Sequence, residues 1–279
     1  MHTRTLVLTS LVASTALLLG CSGEVSMEEP SIDASTAALV ADNDAAASLE
    51  QELEASVEVP LSGADSQDAP IDLSSGATAA DNAIGNAGLY FQPEGCLTSV
   101  RDENVITHTF TDCTGPRGRT LTGTVVSTWS SADMAVSVEH VAEGFQIGGS
   151  TVDHAVTITY QSDGGVYSWT RTGSSSGTTA DDRAIVHSAD YSSVLDLETG
   201  CITRSGQSET SIGEREFSRE ISGYERCGVG ALGCPRAGTF TLDRQRLHVE
   251  LEFTGGGRYD LLVNERSFED RPLLWCIAN

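Results

Sequence analysis

Leu247-His248-Val249-Glu250-Leu251-Glu252-Phe253 sets four apolar side chains against three polar ones with strict period two. Successive side chains of a strand point to opposite faces, so this stretch predicts a strand with one dry and one wet face. Thr151 to Tyr160 repeats the pattern, with Val152, Val156, Ile158 and Tyr160 opposite Thr151, Asp153, Thr157 and Thr159. Asp133 to Val138 alternates as well, with Met134, Val136 and Val138 on the apolar side. Similar runs lie near 104–110, 120–129, 166–171, 184–191, 194–197, 238–242, 259–263 and 273–277. Connections such as Ser162-Asp163-Gly164-Gly165 and Gly255-Gly256-Gly257 are short. Short connections force antiparallel neighbours, because parallel ones need crossovers of about a dozen residues or more. No stretch after residue 90 carries a helical period. The expected fold is all-β: antiparallel sheets, as a sandwich or an open half-barrel, over residues 88–279.

Two echoes suggest that this region is built from related halves, 88–180 and 181–279. Gly95-Cys96-Leu97-Thr98 returns as Gly200-Cys201-Ile202-Thr203, and Cys113-Thr114-Gly115-Pro116-Arg117-Gly118 as Cys234-Pro235-Arg236-Ala237-Gly238. Their separation of about 105 to 120 residues is too long for a solenoid repeat.

The N-terminal texture is different. Arg4 leads into an apolar run from Leu6 to Leu19. Such a run is too short for a helix across a hydrocarbon core of about 30 Å and has the length of a signal-peptide core. It ends in Leu18-Leu19-Gly20-Cys21, which resembles the lipobox of bacterial lipoproteins. That resemblance implies a signal peptide over 1–20, cleavage before Cys21, and a diacylglycerol on its thiol. Two or three acyl chains, at about 0.8 kcal/mol per buried CH2, make a durable membrane anchor. Ser22, where an Asp would retain the protein at the inner membrane, implies the outer membrane of the cell envelope. Residues 21–87 then read as the lipidated cysteine and a disordered acidic linker. Ser22 to Gly95 holds fifteen Asp and Glu and no Arg, too little apolar surface and too much like charge to offset chain entropy. A short helix over 45–56, capped by Asp44, is the local exception.

Charge and composition exclude several functions. The formal net charge is −24, and all sixteen basic residues are Arg. A basic stripe for nucleic acid is missing. The lack of lysine removes P-loop, Schiff-base and Ser-Lys chemistry. Besides Cys21 there are six cysteines: Cys96, Cys113, Cys201, Cys227, Cys234 and Cys276. An even set in an exported chain predicts disulfides rather than metal, since no C-x2-C spacing occurs. Cys96–Cys113 is the expected bridge. The remainder pair either as Cys227–Cys234 with Cys201–Cys276, or with Cys201 bridged to Cys234.

Motifs for catalysis are thin, and none calls for a cofactor. Gly173-Ser174-Ser175-Ser176-Gly177 matches G-x-S-x-G, but its Gly/Ser/Thr surroundings predict a loop rather than the strand–turn–helix of a nucleophile elbow. Asp42-Asn43-Asp44 lacks the Gly and closing Glu of a calcium loop. Asp181-Asp182 reads as a turn. His248, Glu250 and Glu252 share the wet face of one strand and read as solvated. Four other histidines fall in phase with apolar residues: His108 with Ile106 and Phe110, His140 with Val136 and Val138, His154 with Val152 and Val156, and His187 with Ile185 and Tyr191. They are either separate hydrogen-bonded core residues at strand ends or one converging cluster able to titrate or bind metal.

The functional expectation is a lipid-anchored envelope lipoprotein with a non-catalytic β module for binding, adhesion or assembly. Its partners are the membrane, through the anchor, and an unidentified envelope or extracellular ligand. A second reading is a carrier of an apolar ligand in a curved-sheet cavity lined by Trp129, Trp169 and Phe145. A third is a metal-dependent envelope hydrolase using the histidines.

Overall fold

The computed structural model describes residues 75–87, 91–115, 118–227 and 234–273. The lipobox, most of the acidic linker, the helix expected over 45–56, Asp42-Asn43-Asp44 and Cys276 lie outside these residues, as does nearly all of the strand expected at 273–277.

Thirteen strands follow one another in a single antiparallel sheet. They are β1 (Leu97–Asp102), β2 (Val105–Thr114), β3 (Thr120–Ala132), β4 (Ala135–Ile147), β5 (Ser150–Asp163), β6 (Val166–Thr178) and β7 (Ala184–Asp196). Then come β8 (Cys201–Ile212), β9 (Arg215–Cys227), β10 (Pro235–Arg244), β11 (Leu247–Gly255), β12 (Arg258–Val263) and β13 (Arg266–Pro272). Sheet order equals sequence order, and the sheet does not close into a barrel. The all-β, antiparallel expectation is met by one continuous sheet. β6 pairs with β7 across the boundary between the expected halves, so these are halves of one sheet.

Turn chemistry explains the order. Most neighbours are joined by two-residue loops whose first residue has positive φ, and in four of these loops both residues do, the geometry that matches strand twist. Gly148-Gly149 and Gly164-Gly165 are two of them, with φ of 54° and 95°, and 57° and 92°. At Asp133-Met134 the same turn is made without glycine, φ being 52° and 62°. Met134 is therefore not on a strand's apolar face, as its alternation predicts, but at a hairpin tip with 91% of its surface exposed.

The burial is one-sided. Along β4, Val136, Val138, His140, Ala142, Phe145 and Ile147 are buried while their outward neighbours are exposed or half-buried. A single layer with one short helix against it buries a face only by curving around that face. Bulges in β2, β3 and β4, between Phe110 and Cys113, Thr122 and Val125, and Ala142 and Phe145, supply bend. Glycine supplies room on the inner face. A Cβ at Gly206 would lie 2.2 Å from Asp190 O and 2.6 Å from the Tyr191 ring.

The inner face has two apolar clusters. One gathers Phe91, Phe110, Leu121, Phe145, Val152, Ile185 and Ile212, with Phe110 edge-on to Phe91 and Phe145 at 5.2 and 5.4 Å. The other gathers Ile106, Trp129, Val136, Val138, Ile158 and Tyr160 beneath helix α1 (Gly76–Ala87). The helix corrects the linker boundary, since Gly76–Ala87 falls inside the stretch expected to be disordered. Its sequence is weakly apolar, but Ser75 caps it by accepting a hydrogen bond from the Thr78 N–H, Ala79 and Ala80 are wholly buried, and Asp81 pairs with Arg101.

Candidate functional site

Between the two clusters runs a polar layer. Along β2 the inward order is Ile106, His108, Phe110; along β5 it is Val152, His154, Val156; β4 and β7 place His140 and His187 in the same way. Each imidazole sits opposite a hydroxyl on the next strand and is bonded to it through Nδ1: Ser99–His108 at 2.8 Å, Ser127–His140 at 2.8 Å, Ser175–His154 at 2.8 Å and Thr210–His187 at 2.9 Å. The four histidines do share one interior, in strand interiors rather than at strand ends. Burial lowers His108 to about 4. His140 is held well below its ordinary value, first by burial and then by the nearby charges of His154, His108 and Arg171. At His108 and His140 burial favours the neutral imidazole. Among the described residues, however, no three of their nitrogens come within 4.8 Å of one another as a metal site requires.

This layer also accounts for the G-x-S-x-G match. Gly173 to Gly177 is not a loop but lies inside β6, whose pairing with β5 and β7 is unbroken through it. Ser175, the central serine, bonds to the Nδ1 atom of His154. The same hydroxyl–imidazole pair recurs three times elsewhere, and there is no turn into a helix to present a nucleophile. The repetition marks an architectural unit.

Adjoining the histidines is a group of cations that the sequence reading did not single out. Arg171 on β6 faces Tyr191 on β7, and both are buried. Arg219 on β9 donates to the Tyr191 hydroxyl. Arg204 and Arg219 each place Cζ 5.4 Å from the centroid of the Tyr191 ring, a cation–π arrangement. Arg204 also donates from Nε to Ser193 Oγ at 3.2 Å. Further along β9, burial lowers the Arg226 guanidinium from its ordinary value and raises the Tyr224 hydroxyl. The phase argument that finds the histidines would also have found Arg219, between Phe217 and Ile221, had β9 been recognised as a strand.

Cys96–Cys113 is bridged, joining the start of β1 to β2. Cys201 is bridged to Cys227, its register partner on β9, with Cα atoms 4.0 Å apart. This corrects both alternatives, which paired Cys227 with Cys234 or Cys201 with Cys234. The unrecognised strands β8 and β9 put Cys201 and Cys227 directly opposite. Cys234 is also disulfide-bonded. Cys201, Glu225 and Cys227 bring ligand atoms within 4.8 Å, but the two sulfurs form this bridge. His248 hydrogen-bonds Asp243 at 2.6 Å, which raises its pKa, and lies 3.6 Å from Glu250. Asp181 lies in the β6–β7 turn, bonded to Thr179 and Arg183. Trp129 and Trp169 belong to the cluster under α1 and Phe145 to the other, with the polar layer between them.

Comparison adds no relative: no family model, curated protein or solved structure matches the chain.

Proposed function

We propose that this chain is a lipid-anchored envelope protein whose open sheet is a binding module, taking a guest with an apolar body on its concave face. The anchor reading is supported by the Leu18-Leu19-Gly20-Cys21 stretch and the disulfide-rich domain behind it. The binding reading is carried by one register row. Trp129, Val138, Ile158, Arg171, Tyr191, Gly206, Ile221, Phe240, Leu251, Leu261 and Phe268 are successive partners from β3 to β13. Through β7 every one is buried; from β8 onward every one is only half-buried. Five large apolar side chains in line, left partly wet, are worth covering at about 25 cal/mol per Å².

The outer face carries Glu139, Asp153, Asp190, Glu209 and Glu220, all exposed, and suits water rather than lipid tails. A guest is therefore expected inside the curve. Titrating the mature protein with the neutral fluorescent probe N-phenyl-1-naphthylamine tests this. Saturable binding, weakened at least about tenfold by Leu251→Glu, is the expected outcome. A signal that rises without saturating overturns the reading. Mass spectrometry of the native protein tests the anchor, through a diacylglycerol adduct on an N-terminal Cys21.

A further inference from the structure

We propose that the Cys201–Cys227 bridge is a site of thiol–disulfide exchange, which a dithiol reductant opens in the folded protein while Cys96–Cys113 stays shut. The two bridges tie their hairpins alike but sit in different surroundings. Cys96 and Cys113 are 6% and 0% exposed and belong to the apolar cluster around Phe91 and Phe110. Cys201 and Cys227 are both half-buried, at the first residue of β8 and the last of β9, where the register of that hairpin ends. An attacking thiolate is charged, so it reaches a sulfur at a wet strand end far more readily than one inside hydrocarbon. This chemistry needs neither the anchor nor the guest.

The charges around the bridge give the exchange a direction. Arg236 on β10, itself exposed, places Nη1 3.1 Å from Cys227 Sγ. Glu225 Oε1 stands farther off, 3.7 Å from the same sulfur. The nearer guanidinium stabilises a thiolate at Cys227, and a better-stabilised thiolate is the better leaving group. The first thiolate of the reductant therefore attacks Cys201 Sγ, the Sγ–Sγ bond breaks, and its electron pair leaves on Cys227 Sγ beside Arg236. The second thiolate of the reductant then attacks the reductant's own sulfur in the mixed disulfide and releases Cys201. Of the reductant's two protons, one goes to Cys201 and the other to Cys227 or water, and the reductant ends as a disulfide, oxidised by two electrons. Inward of the bridge, Ile202, Thr203 and Arg204 pair with Arg226, Glu225 and Tyr224 before the bulge that precedes Gly206 and Ile221, the half-wet start of the open row. Reduction thus frees a short outer segment of the hairpin beside that row.

Timed reduction of the purified native protein with dithiothreitol, with iodoacetamide quenching and mass-spectrometric mapping of the labelled cysteines, tests the exchange. Cys201 and Cys227 are expected to be labelled at least about tenfold faster than Cys96 and Cys113. Glutathione, a monothiol, should be trapped as a mixed disulfide on Cys201, with Cys227 left free to alkylate. Arg236→Gln should slow the exchange by about threefold or more, and Glu225→Gln should speed it. Loosened packing would speed both, so the opposite signs isolate the effect of charge. Arg246→Gln, at the exposed β10–β11 turn, should leave the rate unchanged. Equal labelling of all four cysteines, or labelling of Cys201 and Cys227 only in urea, overturns the exchange site. Glutathione found on Cys227, or the same sign of effect from Arg236→Gln and Glu225→Gln, overturns the direction assigned to it.

Discussion

At the scale of single residues, the interior is organised by the in-register pairing of imidazoles with hydroxyls. Among the described residues, Ser127 Oγ is the one hydrogen-bond partner of the His140 ring, whose Nε2 is already unmatched. Ser127→Ala should therefore cost about 1–3 kcal/mol of unfolding free energy, measured by urea denaturation, because it leaves a second buried polar atom bare. The titration of these rings sets a pH dependence whose sign follows from burial. His108 is lowered from 6.5 to about 4, and His140 moves the same way. Between those pH values the unfolded chain takes up a proton that the folded chain refuses. Their contribution is complete above pH 6.5 and is lost as pH falls toward 4, by about 3 kcal/mol for His108 alone. His248 has the opposite sign, since its raised folded pKa favours the native state at low pH, but it is exposed and screened. Denaturation midpoints at pH 7.5 and 5 check this. A His108→Phe protein whose stability falls just as steeply would refute the assignment.

At the scale of elements, the two visible disulfides do the same job. Each begins at a Gly-Cys entry with positive φ, 84° at Gly95 and 64° at Gly200, and ties the first strand of a hairpin to the end of the second. The counterpart of Cys113 is thus Cys227, not the Cys234 that the sequence echo points to. Replacing Cys201 and Cys227 together by Ala opens a loop of 26 residues and should cost about 3 kcal/mol. Reduced and oxidised melting curves of the double variant would then coincide more closely than those of the native chain. A second element-level prediction concerns Gly206, whose inner face is filled by the Tyr191 ring. Gly206→Val would drive Cβ into Asp190 O and displace the ring that carries Arg204 and Arg219. Loss of more than about 2 kcal/mol is expected, measured by urea denaturation.

At the scale of the whole molecule, the legible part of the fold was the part with clean alternation. Runs such as Val152 to Tyr160 and Leu247 to Phe253 read directly because their inward positions are apolar. β8 and β9 did not, because CITRSGQSETSI and REFSREISGYERC place Arg204, Gly206, Ser208, Thr210 and Arg219 on the inner face, where the binary pattern expects hydrocarbon. The same polar residues that hid these strands gather Arg204 and Arg219 around Tyr191, so the arginine group was illegible for the reason that it exists. The histidine layer was legible because each ring is flanked by aliphatic residues in phase. How thirteen strands stay together without closure is a further consequence of this gradient in cover. The inner row is buried from β3 to β7 and half-wet from β8 to β13, while both edges, β1 and β13, carry charged residues that discourage pairing with another chain. Local opening is easiest where few apolar contacts are buried. Amide exchange should therefore be fastest in β12 and β13, slower in β10 and β11, and slowest in β4 to β7. A guest lying along Phe240, Leu251 and Leu261 would slow exchange in β10 to β13 by linkage, by about a hundredfold at one hundred times its dissociation constant, and leave β4 to β6 nearly unchanged. Exchange that is uniform across all thirteen strands, or protection by N-phenyl-1-naphthylamine confined to β4 to β6, would place the guest elsewhere and defeat the concave-face reading.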